Sequence, residues 1–166
     1  LWSPIAAKAE PDPACDPIFA AITKLLQTPN HQFMSQSSAT DALNNGGRLR
    51  TSESISTADA SYIKVRDHWL KVPLSPQDML KQQEDGRREA KESCHYLRDD
   101  DLEGNAALYT AHTETPKGTS DVQMWISKTT GLPVREEVDL DFSEPGKSHS
   151  SIRFDYEHVE LPKELQ

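Results

Sequence analysis

The chain lacks an excess of positive charge, a long apolar run and a recognisable catalytic signature, and each absence narrows what it can be. Its 18 Lys and Arg stand against 27 Asp and Glu, a formal net charge of −9. That balance argues against holding nucleic acid or anionic headgroups through a general basic field, with Arg87-Arg88 a local exception. No stretch reaches the roughly 18 consecutive apolar residues that a membrane-spanning helix needs. Hydrophobic residues make up only 35% of the 166, which predicts a thin or open core. Three Trp, four Tyr and four Phe are nevertheless spread along the chain, so this is not the composition of a disordered segment. The length fits one domain, large enough to bury roughly 70% of its unfolded surface. We place that domain over residues 15–166, behind an extended Pro-rich leader at 1–14.

Catalytic motifs are missing too. There is no G-x-S-x-G elbow and no Gly-rich phosphate loop. The six histidines (His31, His68, His95, His112, His149 and His158) show neither H-E-x-x-H nor i, i+4 spacing, and read as surface or turn residues. Asp99, Asp101 and Glu103 ahead of Gly104 resemble the first half of a calcium loop. The twelfth position is Thr110 rather than Glu, so a charged hairpin turn is the better reading. No enzyme activity, cofactor or metal is expected.

Cysteine is nearly absent: Cys15 and Cys94 are the two. A reducing compartment would keep both as thiols, and an oxidising one would join them. Ala7-Lys8-Ala9 has the small-x-small pattern of a signal-peptidase site, without a complete signal peptide. That favours an exported protein whose signal is absent or truncated here, with Cys15 bonded to Cys94.

What is present is pattern. Asp16 as N-cap and Pro17 at the first position open a helix in which Ile18, Phe19, Ile22, Leu25 and Leu26 form one apolar stripe, ended by Thr28-Pro29-Asn30. Three strands follow, "HQFMSQSSAT", "GRLRTSESIST" and "SYIKVRDHWLKVPL", the first two separated by a turn at Asn44-Asn45-Gly46-Gly47. The middle one is so polar that a sheet edge suits it. Ser75, Pro76 and Asp78 then cap a second, highly charged helix with Gly86 as its weak point.

From Cys94 onward the chain reads as an antiparallel meander, with a Gly in each of "LEGN", "PKGT", "TTGLP" and "EPGK". Along one strand Leu132, Val134, Val138, Leu140 and Phe142 share a face, interrupted by Glu136. Along the next, Ile152, Phe154 and Tyr156 do the same. Met124 and Ile126 stand beside them, and Trp125 points the other way. If the dry face bounds a cavity, Glu136 needs a partner or a place at the rim. These observations predict an α+β domain: a curved antiparallel sheet of seven to nine strands with two principal helices on one side.

The run "MWISKTTGLP", turning into Pro133-Val134-Arg135 and followed by "SIRFDYEHV", resembles the bacterial envelope proteins related to the periplasmic lipoprotein carrier and its outer-membrane receptor (LolA/LolB-like). "YIKVRDHWLKVP" is similar to their central strand, and the likeness runs over residues 16–160 in order of elements. The resemblance implies an open half-barrel with helices over its concave side and an apolar cavity between, a site for lipid or lipoprotein acyl chains. Relatives include a binding module of envelope-stress regulators.

The expectation is a non-catalytic periplasmic protein that binds a hydrophobic or amphipathic ligand. The candidate lining is Met124, Ile126, Leu132, Val134, Glu136, Val138, Leu140, Phe142, Ile152, Phe154 and Tyr156. The alternative is an envelope protein-interaction module of the same fold with a filled core and no lipid.

Overall fold

The computed structural model describes residues 10–38, 49–144 and 146–165. The first nine leader residues and the Asn44–Gly47 turn lie outside them. Described in chain order are α1 (Asp16–Leu26), β1 (Asn30–Ser38), β2 (Arg50–Ser56), β3 (Ser61–Val65), β4 (His68–Lys71), α2 (Pro76–Glu89), β5 (Lys91–Asp100), β6 (Ala106–Thr115), β7 (Gly118–Ser127), β8 (Pro133–Phe142) and β9 (Lys147–Asp155). The nine strands form one antiparallel sheet in the order β4-β3-β2-β1-β9-β8-β7-β6-β5, curved but open, with both helices on its concave side. Two meanders, β1–β4 and β5–β9, are therefore joined through the β1–β9 pair, and α2 carries the chain from one outer edge to the other.

The sheet has a core on each face. Under α1, Ile18 and Ala21 pack with Met124, Ile126 and Ala111 around the Cys15–Cys94 disulfide. Burying side chains such as Ile18 and Leu25 stabilises by roughly 1.5–3 kcal/mol each. The disulfide, whose Cα atoms are 5.0 Å apart, ties the start of α1 to β5 across 79 positions. At the other end of α1, Lys24 donates from Nζ to the Thr130 carbonyl of the β7–β8 turn. Asn30, buried at the start of β1, donates to the Leu25 and Thr28 carbonyls, 3.3 and 2.8 Å away. The Leu25 carbonyl belongs to the last turn of α1, where a helix runs out of intrahelical donors. On the convex face Ala106, Leu108 and Trp125 form a smaller cluster. Arg135 lies 4.9 Å over the Trp125 ring, and Trp125 Nε1 donates to Asp100 at 2.9 Å.

Several local expectations are corrected. Asp16 is the first helical residue rather than the cap. Before it, Pro13–Cys15 makes a 3-10 turn capped by Asp12, so the leader is not extended throughout. Residues 61–71 are a hairpin, not one strand, because Arg66 adopts φ 57° at a two-residue turn that carries neither Gly nor Asn. Hairpin pairing places Ile63 opposite Leu70 and Trp69 opposite Lys64. The edges are β4 and β5, so β2 is internal, although only Ser54–Ser56 pair with β3. The second helix forms its capping box at Ser75 and Asp78 and runs through Gly86 to Glu89 without a break.

Candidate functional site

A cleft of about 760 Å³ separates the two helices from the concave face of β9 and β8. It follows directly from the two helix patterns. The apolar stripe of α1 is wide enough to cover the sheet with Ile18 and still present Phe19, Ile22, Leu25 and Leu26 to the opening. The facing stripe of α2 is Met79, Gln82, Gln83, Gly86 and Arg87, at i, i+3, i+4, i+7 and i+8. It holds one large apolar side chain and one residue with no side chain, too little to fill the space. α2 is instead strapped to α1: the Arg87 guanidinium meets Asp16 Oδ1 at 2.5 Å, donates to the Asp12 carbonyl at 3.3 Å and lies 4.7 Å over the Phe19 ring.

The floor is supplied by Glu136, Ile152 and Phe154, with Gln32, Glu92 and Thr113 at its margins. Glu136 is opposite Met124 on one side and Ile152 on the other. No hydrogen bond or ion pair reaches its carboxylate among the described residues, and desolvation pushes its pKa from the ordinary 4.5 up to about 7. Burial also raises the Glu92 carboxyl, with Arg87 opposing and Asp12 adding. Among the described residues the single cation on the cleft wall is thus already paired, while the Glu136 carboxyl group faces the space without a direct partner.

The sequence-derived lining divides. Glu136, Ile152 and Phe154 line the cleft. Met124 and Ile126 lie deeper, packed under α1 in the disulfide core. Val134 packs on Trp125 at the convex face, because a bulge between Trp125 and Ile126 shifts the β7–β8 register and reverses its parity. Leu132 is buried at the β7–β8 turn and Val138 partly buried. Leu140 belongs to a separate shallow groove with Asp121, Asp139 and His149. Phe142 packs against Gly118, where a Cβ would fall 2.6 Å from the Phe142 ring and 2.2 Å from the Asp141 carbonyl. Tyr156 stacks beside Phe154 and donates to the Pro133 carbonyl. The cleft residues of α2 and Glu92 were missed; the helical spacing of Met79 to Arg87 was the available signal, hidden by its polarity.

The acidic turn is structural. Asp99 pairs with Lys128 at 2.6 Å, Asp100 accepts from Trp125, and Glu103 pairs with Arg135 at 2.8 Å. Among the described residues Cys15, Glu92 and Cys94 come within metal-ligand reach of one another. Both sulfurs belong to the disulfide, which leaves one carboxylate and no metal site. His112 and His149 instead sit on Asp121 and Asp139, each at 2.7 Å.

Neither a family model nor a curated protein sequence matches the chain. Among solved structures, a chain of the Pseudomonas aeruginosa MucA/MucB complex is similar, with 10% identity and a TM-score of 0.53 over 93% of this chain and 61% of that one. The Mycobacterium tuberculosis lipoprotein LppX has 10% identity and a TM-score of 0.48, over 90% and 98%. LprF from Mycobacterium bovis has 13% identity and a TM-score of 0.46, over 93% and 98%. The likeness to the MucA/MucB chain is one of fold. Identities this low speak to architecture alone, so the function of this chain has to be argued from its own cleft.

Proposed function

We propose that this protein is a non-catalytic component of the bacterial periplasm that holds a hydrophobic or amphipathic ligand, a lipid or the acyl chains of a lipoprotein, between α1, α2 and the sheet. The observation that carries this reading is the cleft itself. Its volume lies within the roughly 300–1,000 Å³ of ligand sites, and its walls are largely apolar. The space is already open, so chain burial gains hydrophobic free energy without first displacing a packed core. A disulfide closing a loop of nearly half the chain suits an oxidising compartment.

Native mass spectrometry of protein purified from a bacterial envelope tests it. A co-purifying lipid mass that exchanges with added lipid is the expected result. A clean apo mass that ignores added lipid would count against it.

A second reading, an envelope protein-interaction module, has its own support. The similar MucA/MucB chain was solved in a complex, and Phe33, Ile63, Val65 and Leu70 are exposed near the β4 side of the sheet. The same mass spectrum discriminates, since this reading expects bound protein and no lipid.

A further inference from the structure

The proposed ligand site has an electrostatic character that an acyl pocket does not need. α1 brings no titratable group to the cleft, and Ile152, Phe154, Gln32 and Thr113 bring none from β9, β1 and β6. The charged groups are Arg87 from α2, Glu92 from β5 and Glu136 from β8. Arg87 is the one cation among them, and much of its donor capacity is already engaged. Its Nη2 donates to Asp16 and to the Asp12 carbonyl, and its Nε is buried without a partner among the described residues. Glu136 is the reverse case: an acceptor between Met124 and Ile152, open to the cleft and without a donor among the described residues.

A carboxyl group held among apolar side chains is costly unless something completes its hydrogen bonds. In this site the missing donor has one direction from which to come, the cleft. We infer that the site takes a small amphipath whose apolar chain lies along α1 and whose hydrogen-bond donor, a protonated amine above all, is seated on Glu136, and that it disfavours chains ending in a carboxylate. The inference rests on the cleft being a chain-binding site. It adds the chemistry of the chain's polar end: an ammonium pairs with the carboxylate in a low-dielectric setting, a hydroxyl gives one hydrogen bond without the opposite charge, and a carboxylate meets two like charges.

The test uses the full chain and displacement of diphenylhexatriene, a neutral apolar dye, by dodecylamine, dodecanol and dodecanoate below their micelle concentrations. At about pH 8, where Glu136 is ionised, dodecylamine should bind roughly tenfold tighter than dodecanoate, with dodecanol between them. The chain's net charge attracts any cation, so the variant decides. Glu136→Gln should bring the three ligands within about threefold while still displacing the dye, and Glu136→Leu should do the same should the glutamine variant fold poorly.

An undiminished amine preference in both variants, or its loss in Glu92→Gln instead, overturns the assignment to Glu136. Equal affinity of the three ligands for the wild type overturns the inference and leaves chain binding intact. Displacement by none of them overturns chain binding as well.

Discussion

Glu136 and Ile152 face each other across β8 and β9 on the concave side, a carboxyl group against a branched aliphatic. With Met124 opposite on β7, Glu136 is an ionisable group in an apolar row. Its pKa of about 7 against an ordinary 4.5 means that the folded state holds the proton more tightly than the unfolded chain. Between those values folded protein carries more protons, so stability falls as pH rises from about 4.5 through about 7. The cost of ionisation is at most roughly 3 kcal/mol by linkage, and less where the cleft admits water. Glu136→Gln removes the titration. It should raise Tm over wild type at about pH 8 and lose that advantage near pH 4.5. Parallel melting curves show the difference, and an advantage independent of pH would mean that Glu136 does not titrate in this range.

The Cys15–Cys94 bond makes a second prediction. It joins the 3-10 turn before α1 to β5, with Asp12 accepting from the Cys94 amide beside it at 3.4 Å. Alkylation without reductant should label neither cysteine. Replacing both by Ala should lose roughly 2–4 kcal/mol in urea unfolding, by releasing a long closed loop in the unfolded state. Labelling of native protein would show that the two thiols are free, and would withdraw the support the bond lends to export.

Legibility in the sequence followed periodicity and failed where one residue broke it. The α1 stripe, the Ser75–Asp78 cap and the Trp125 hairpin were readable because local rules and tertiary packing agree there. The β8 bulge was not, since a single extra residue reverses every parity assignment on its far side, and Val134 went to the wrong face. The Arg66 turn hid for a similar reason: a non-Gly residue at positive φ leaves no turn signal. Glu136 stood out in the sequence as an interruption. That it has no partner depends on how far α2 stands from the sheet, which no local pattern encodes.

Gly86 tests the account of α2. It lies in the helix interior on the cleft wall, and an added Cβ meets nothing within 4 Å. Gly86→Ala should therefore stabilise by roughly 0.5–1 kcal/mol through helix propensity alone. Urea midpoints with an unchanged slope would show it. A destabilised variant would mean that α2 packs close to the sheet at Gly86, with the cleft correspondingly smaller.

Arg135 tests the convex face. It covers Trp125 and pairs with Glu103 at 2.8 Å and Glu137 at 2.7 Å, so a planar cation closes a core cluster that has no helix over it. Glu137 is held below its ordinary pKa by Arg135 and Ser151 in spite of burial, which ties the pair into one network. Arg135→Ala should uncover the Trp125 ring and cost about 1–2 kcal/mol. In a background with Trp2 and Trp69 replaced by Phe, the emission should move to longer wavelength. Arg135→Lys keeps the charge but loses both the stacking plane and the forked geometry, so it should recover less than half of the loss. Full recovery by Lys would show that charge alone, rather than the guanidinium lying on the indole, holds this face closed.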